Sequence, residues 1–343
     1  MTALHPRLGF YTLAGAPASP REMFDELAAA ERMGIGAAFI SERFNSKEAG
    51  ALTGAAVAST EALRIVTGAT NHTTRHPAVT ASWASTLHLL SNGRFTLGLG
   101  RGIDVMFRAY GMDLATTESL ERFAGLMRRL WRGETVLGHS DLTGTYPVLR
   151  LDPDFRLDIP LAVTAFGPRT LEMAGRAFDL VILHTFFTDE TTARAVRTVK
   201  ESAERAGRDP DTVQVWSCLA TVGDHIDPAL RLKKTVGRLA TYLQAYGDLM
   251  VRTNGWDPAV LERFRADEFV RAFPGALDAK GTTEDLERVA PLIPDEWLAP
   301  AATGSPERCA ATVRAQFDLG CDGVIMHGAT PSELAPIVAA MPT

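Results

Sequence analysis

Cysteine is scarce in this chain. Cys218, Cys309 and Cys321 are the three in 343 residues, far apart and never in C-x-x-C spacing. That excludes a disulfide framework and a cysteine-built zinc site, and predicts reduced thiols in a cytoplasmic protein. No Lys/Arg run or basic stripe occurs and the net charge is −6, which argues against nucleic acid as a partner. No apolar run reaches bilayer-spanning length, so no membrane association is expected. The opening MTALHPRLGFYTLAG lacks the basic segment and long apolar core of a secretory signal. His72 and His76 have H-x-x-x-H spacing, but Pro77 follows directly and disfavours a helix across both, so no metal is expected.

What is present is a core. Hydrophobic residues make up 46% and charged residues 22%, as in a globular protein. Eight strand-length apolar runs recur: residues 8–13, 37–41, 64–69, 94–100, 160–165, 180–184, 213–222 and 323–328. Amphipathic helical stretches lie between nearly all of them. Ser19, Pro20 and Glu22 punctuate the start of the first helix and Gly34 its end. Runs of Val, Ile, Leu and Ala with little alternation suit parallel strands buried on both faces. Eight such units predict a (β/α)8 TIM barrel, residues 1–343 forming one domain; a doubly wound open sheet is the runner-up. Residues 133–159, rich in turn formers, read as a loop or hairpin excursion, and 223–302 as a helical insertion between strands seven and eight.

In a barrel the active site lies at the C-terminal strand ends. Those ends are polar here: Tyr11 and Thr12; Glu42 and Arg43; Thr70, Asn71, His72, Arg75 and His76; Arg101 and Asp104; the turn Phe166-Gly167-Pro168; His184; and His327. Basic groups and helix N-termini on one rim suit an anionic, phosphate-bearing ligand. Each also has a plainer reading. Glu42 and Arg43 fit surface ion pairs, His184 and His327 fit packed strand-end histidines, and Asp104 fits a helix cap. Phe44, Phe166, Phe186 and Phe187 suggest an apolar pocket, though aromatic residues are as much at home in a core.

The stretch SNGRFTLGLGRGID carries Gly98, Gly100 and Gly102 at alternate positions. A dinucleotide fingerprint requires G-x-G-x-x-G, and the third position falls on Ile103 or Val105. The alternative is a strand end where bare backbone is needed.

TGATNHTTRHPAVTASWASTLHLLSNGRFTLGLGRG, with AAFISERF, AFGPRTLEMAGRAFDLVILH and MRRLWRGE, resembles the luciferase-like superfamily in its branch dependent on the deazaflavin coenzyme F420. The likeness runs from LGFYTL to GVIMH, with Leu180 in place of a glycine of the family signature. It implies hydride transfer between the deazaflavin and a small organic substrate, with FMN as the alternative cofactor for a two-component monooxygenase, or a non-catalytic binder of either. It implies cofactor contacts at Tyr11, Glu42, Thr70, Asn71, Gly100, Arg101, Gly102, Phe166, Gly167 and Pro168. It further implies a bulge after strand three, with a non-proline cis peptide near Thr70–Asn71. A homodimer and a separate reductase that regenerates the reduced cofactor also follow from it.

The departures matter. Family dehydrogenases carry an Asp-His pair where this chain has Glu42-Arg43. The sugar-phosphate branch has a glutamate where Ile103 stands and a lysine where Phe187 stands. The resemblance therefore points away from sugar-phosphate oxidation and toward reduction of an activated C=C or C=O. Glu42, Arg43, His72 and His184 are the candidate catalytic residues. Arginine stays charged, so Arg43 would stabilise negative charge rather than act as a base.

Overall fold

The computed structural model describes residues 4–15, 17–43, 46–152 and 156–341. Strands β1 (His5–Tyr11), β2 (Ile35–Ile40), β3 (Arg64–Thr67) and β4 (Phe95–Leu99) alternate with helices α1 (Glu22–Arg32), α2 (Ala49–Ala58) and α3 (Pro77–Leu90). After α4 (Asp104–Ala109) and α5 (Thr117–Trp131) comes an antiparallel hairpin, β5 (Val136–Asp141) and β6 (Gly144–Leu149). The alternation resumes with β7 (Leu161–Thr164), α6 (Pro168–Ala177), β8 (Leu180–Ile182), α7 (Asp189–Arg205) and β9 (Gln214–Gly223). A helical excursion follows: α8 (Pro228–Leu232), α9 (Arg238–Asn254), α10 (Pro258–Ala266), α11 (Glu268–Ala272), α12 (Leu277–Lys280), α13 (Thr283–Val289) and α14 (Asp295–Leu298). The short strand β10 (Ala302–Gly304), α15 (Pro306–Asp318), β11 (Gly323–His327) and α16 (Pro331–Ala339) end the described chain.

Pairing runs β1-β2-β3-β4-β7-β8-β9-β11 and returns to β1, every pair parallel, so eight strands close a ring. This is the (β/α)8 barrel expected from the sequence. Boundaries differ in places. β1 begins at His5 rather than Leu8 and stops at Tyr11, because Leu13 already has φ of +53°. Ala302 to Gly304 pair with Thr221 to Gly223, so the end of the excursion extends the sheet beside β9. Gly34 ends α1 with φ of +72°, as its position predicts. Asp104 does not cap a helix; it is the first residue of α4 and lies 3.9 Å from Arg101.

The register fixes which side chains enter the barrel. Gly9 pairs with Ala37 and Ile325, Val66 with Phe39, Ala162 with Gly98, and Trp216 with Ile182 and Gly323. Successive residues alternate faces, so Tyr11, Gly68, Gly100, Thr164, His184, Cys218 and His327 form the inward layer above these. Arg64 and Gln214 close the floor at 2.9 Å. Phe39, Val66, Ile182, Trp216 and Ile325 seal the middle layer. The Trp216 ring fits because its neighbours lack side chains: a Cβ on Gly323 would lie 2.3 Å from it and one on Gly9 3.0 Å. A second apolar cluster, including Leu243, Leu261, Phe264, Leu286 and Trp297, lies in the helical excursion and reaches the barrel through Phe186 and Ala220.

Candidate active site

The middle layer of the barrel is sealed, whereas Tyr11, Thr164, His184 and His327 above it are each half-buried. The C-terminal end of the barrel is therefore a cup, roofed in part by α9. Tyr11 stands at its centre, 5.7 Å from the Phe39 ring and edge-on to His327 at 5.4 Å. Burial, with Cys218 and Tyr242 nearby, raises the Tyr11 phenol well above its ordinary value.

Beside β2, Glu42 has a side chain only 3% exposed and fully committed. One carboxylate oxygen accepts from the Thr70 hydroxyl at 2.5 Å, the other from the Ala49 amide at 3.2 Å. Arg75 bridges Glu42 and Glu48 and also donates to Thr70 at 2.9 Å. Glu42 thus ties the loop after β3 to the start of α2. Arg43 is exposed, and its backbone pairs with Lys47. Phe44 lies outside the described residues.

Beyond β3 the Gly68–Ala69 peptide is cis, two residues before the position the resemblance implied. Thr70 then returns to the sheet: its amide donates to Gly98 and its carbonyl accepts from Gly100, at 3.0 and 2.8 Å. Asn71 turns its side-chain oxygen onto the amides of Thr73 and Thr74, an Asx turn. His72 is buried against Phe123 at 5.2 Å, its Nδ1 without a partner among the described residues, and burial pushes it down to about 4. His76 caps α3 by accepting from the Ala78 amide.

The three glycines at the end of β4, Gly98, Gly100 and Gly102, serve different ends. A Cβ on Gly98 would lie 1.8 Å from the Thr67 carbonyl oxygen, so that glycine is required by the adjacent strand. Gly102 has φ of +74° and packs under Phe107. Gly100 alone faces the cup, where a Cβ would meet Thr164 Oγ1 at 2.8 Å. Arg101 donates to the Ala115 carbonyl at 3.0 Å. The protein's own packing accounts for Gly98 and Gly102 and also crowds Gly100, where an added Cβ would lie 3.1 Å from that of Ala69.

Opposite, Gly167 and Pro168 open α6 with no side-chain cap, and a Cβ on Gly167 would have only Leu249 within 4 Å, at 3.9 Å. An uncapped helix N-terminus beside open backbone suits a phosphate or flat ring system. Phe166 lies 4.4 Å from the His184 ring. His184 Nδ1 is 2.9 Å from the Thr185 carbonyl oxygen, and Nε2 is 3.0 Å from Tyr246 Oη. Burial lowers His184 to about 4. Burial, then Arg238, His184, Arg43 and Lys234, lowers His327 to about 3. Lys234 pairs with Glu333 at 2.6 Å and Arg238 with Asp278 at 3.2 Å. Lys47 donates to the carbonyl of Leu13 at 2.9 Å and to Ser41 at 3.4 Å. Burial first, then Arg43, pushes Lys47 down to about 8. Burial thus favours the neutral form of both histidines, while Lys234 and Arg238 nearby are held by Glu333 and Asp278.

Sequence reasoning missed Lys47, Arg238, Tyr242 and Tyr246. The last three recur every four residues, one face of a helix, and that stripe was the available signal. Among the described residues no group of His, Cys, Asp and Glu is placed to hold a metal ion, and no helix is long and apolar enough to cross a membrane.

The sequence profile of the luciferase-like monooxygenase family matches residues 4–323, and the chain belongs to that family. It is 28% identical over 307 residues to a 5,10-methylenetetrahydromethanopterin reductase of Methanolobus tindarius, covering 86% of each chain. It is 33% identical over 194 residues to a phthiodiolone/phenolphthiodiolone dimycocerosates ketoreductase of Mycobacterium tuberculosis, a match spanning 54% of this chain and half of that protein. Among solved structures, the coenzyme F420-dependent tetrahydromethanopterin reductase of Methanopyrus kandleri superposes with a TM-score of 0.79 at 19% identity, over 98% of each chain. An F420-dependent secondary alcohol dehydrogenase superposes with a TM-score of 0.75 at 17% identity, over 99% of each.

Proposed function

We propose that this protein is a coenzyme F420-dependent oxidoreductase that moves a hydride between the deazaflavin and a small organic substrate, reduction of an activated C=O or C=C being favoured. The observation that carries this reading is the match to a methylenetetrahydromethanopterin reductase over 86% of both chains, joined to a cup whose groups suit the cofactor. Its uncapped α6 start, open Gly167 backbone and inward Gly100 fit a flat ring with an anionic tail. When bound, the deazaflavin supplies the hydride chemistry. The protein contributes binding at Tyr11, Thr70, Gly100, Phe166, Gly167 and Pro168. Arg43 and His184 stand at the substrate side. Glu42 and Asn71 act by holding the loops, Arg101 and Gly102 form the rim, and His72 backs the loop after β3.

A homodimer, a cytoplasmic location and a separate reductase that regenerates the reduced cofactor complete the reading, with 1–343 acting as one unit. Titration of the apoprotein with F420 and with FMN, followed by tryptophan quenching, tests it. Micromolar binding of F420 with FMN at least tenfold weaker is expected. The family's monooxygenase name favours a second reading, FMN with oxygen, and the reverse preference would establish that one.

A further inference from the structure

We infer that Tyr246 and His184 form a proton relay for interconverting a carbonyl and an alcohol, with Tyr246 Oη touching the substrate oxygen. The hydride's source rests on the function proposed above. The direction of the relay follows from hydrogen-bond chemistry. A carbonyl oxygen only accepts, so the contact of His184 Nδ1 with the Thr185 carbonyl at 2.9 Å places the ring proton on Nδ1. Nε2 is left with its lone pair, and Tyr246 Oη, 3.0 Å away, must donate to it. The phenol oxygen then offers lone pairs to a substrate hydroxyl.

Oxidation of an alcohol balances as follows. The hydroxyl proton passes to Tyr246 Oη as the phenolic proton passes to His184 Nε2. The carbinol C–H bond breaks with both electrons leaving as hydride to the oxidised deazaflavin, and the C=O bond forms. The imidazolium keeps its Nδ1–H on Thr185 and, being more acidic than usual in this buried setting, releases the new proton to solvent. Reduction runs the same path backwards: a solvent proton first enters at Nε2, Nε2–H then donates to Tyr246 Oη, and the phenolic proton passes to the carbonyl oxygen as its carbon gains the hydride.

The backbone is built to aim Tyr246. Inside α9 its φ and ψ are −153° and 36°, a break in the helix. The break brings the rings of Tyr242 and Tyr246 over His184, at 5.0 and 5.3 Å. Gly247 lets the broken turn close, since a Cβ there would lie 2.6 Å from Leu261. Tyr242 stacks on Tyr246 at 5.4 Å and lies under the Arg238 guanidinium at 5.9 Å, which Asp278 anchors. Phe166 and Phe187 wall the other side of His184, so the carbonyl carries an apolar substituent.

Two measurements decide this. The first is ¹⁵N NMR of the histidine rings in the full-length protein without cofactor. It should show His184 protonated on Nδ1, with an Nε2 shift that moves in Tyr246→Phe. An Nε2-protonated ring overturns the relay. The second is turnover with F420 and the probes benzaldehyde and cyclohex-2-en-1-one. Aldehyde reduction should fall about 100-fold or more in kcat in Tyr246→Phe and in His184→Asn, which keeps the bond to Thr185. F420 affinity should change less than twofold. Undiminished turnover in both variants, or an enone reduced at its C=C while benzaldehyde is untouched, also overturns it. Failure of the wild type to bind F420 would instead sink the cofactor assignment, leaving the NMR result to judge the relay.

Discussion

Asn254, the last residue of α9, donates its side-chain amide to the carbonyl of Phe186 at 2.9 Å, and its Oδ1 accepts from the Thr188 amide at 3.3 Å. Phe186 has φ of +63°, a conformation a bulky residue holds only under constraint. One side chain thus pins the loop that carries His184 to the helix that carries Tyr246. Asn254→Ala should cost about 2 kcal/mol of stability, read from the urea midpoint.

Glycine replacement should separate packing from binding. Gly98→Ala drives a methyl into the Thr67 carbonyl, so it should lower stability by more than about 3 kcal/mol or yield insoluble protein. Gly167→Ala meets only Leu249, at 3.9 Å, and should change stability by no more than about 1 kcal/mol. Thermal melts of both variants check the contrast.

The Glu42–Arg75 pair is buried, with Arg75 keeping Glu48 as a second partner. Glu42→Gln leaves the bonds to Thr70 and Ala49 possible but strands part of the arginine charge. We expect a loss of about 2–3 kcal/mol in urea denaturation, at the low end for a broken buried pair because Glu48 remains.

His72 gives a pH dependence of definite sign. Its folded value, about 4, lies below the ordinary 6.5, so the unfolded chain binds the proton more readily. The favourable contribution is complete above pH 6.5 and is lost as pH falls toward 4. At pH 5 the loss is about 2 kcal/mol. His184 and His327 act with the same sign, so the test is a difference: from pH 7.5 to 5.0, His72→Leu should lose about 2 kcal/mol less than the wild type.

All three cysteines are buried, and burial pushes Cys218, Cys309 and Cys321 up to about 12, 11 and 12. A thiol-reactive disulfide reagent should therefore label almost none in the native protein and three after denaturation.

The barrel was legible because its signal is local. Val66, Leu97, Val163 and Val181 sit in short apolar runs buried on both faces, and Ser305 caps α15 by accepting from the Arg308 amide at 3.3 Å, a bond three residues long. The site was legible only as a rim of polar strand ends. What those residues do depends on partners far away in the chain. Glu42 reads as a candidate catalyst until Arg75, 33 residues on, occupies it. His184 reads as a lone histidine until Tyr246, 62 residues on, faces it. The break in α9 that aims Tyr246 has no proline to announce it. The sequence shows that bare backbone is needed at the end of β4 but not why: the atom that forbids a side chain on Gly98 belongs to β3.

The helices between β9 and β11 carry an apolar core of their own, which meets the barrel through Phe186 and Ala220. Descent could therefore rewrite Tyr242, Tyr246 and their neighbours while Trp216 and the strands beneath stayed as they are. A lineage of such enzymes would keep one hearth and change the cook, acquiring new substrates by exchanging a roof rather than by rebuilding a house.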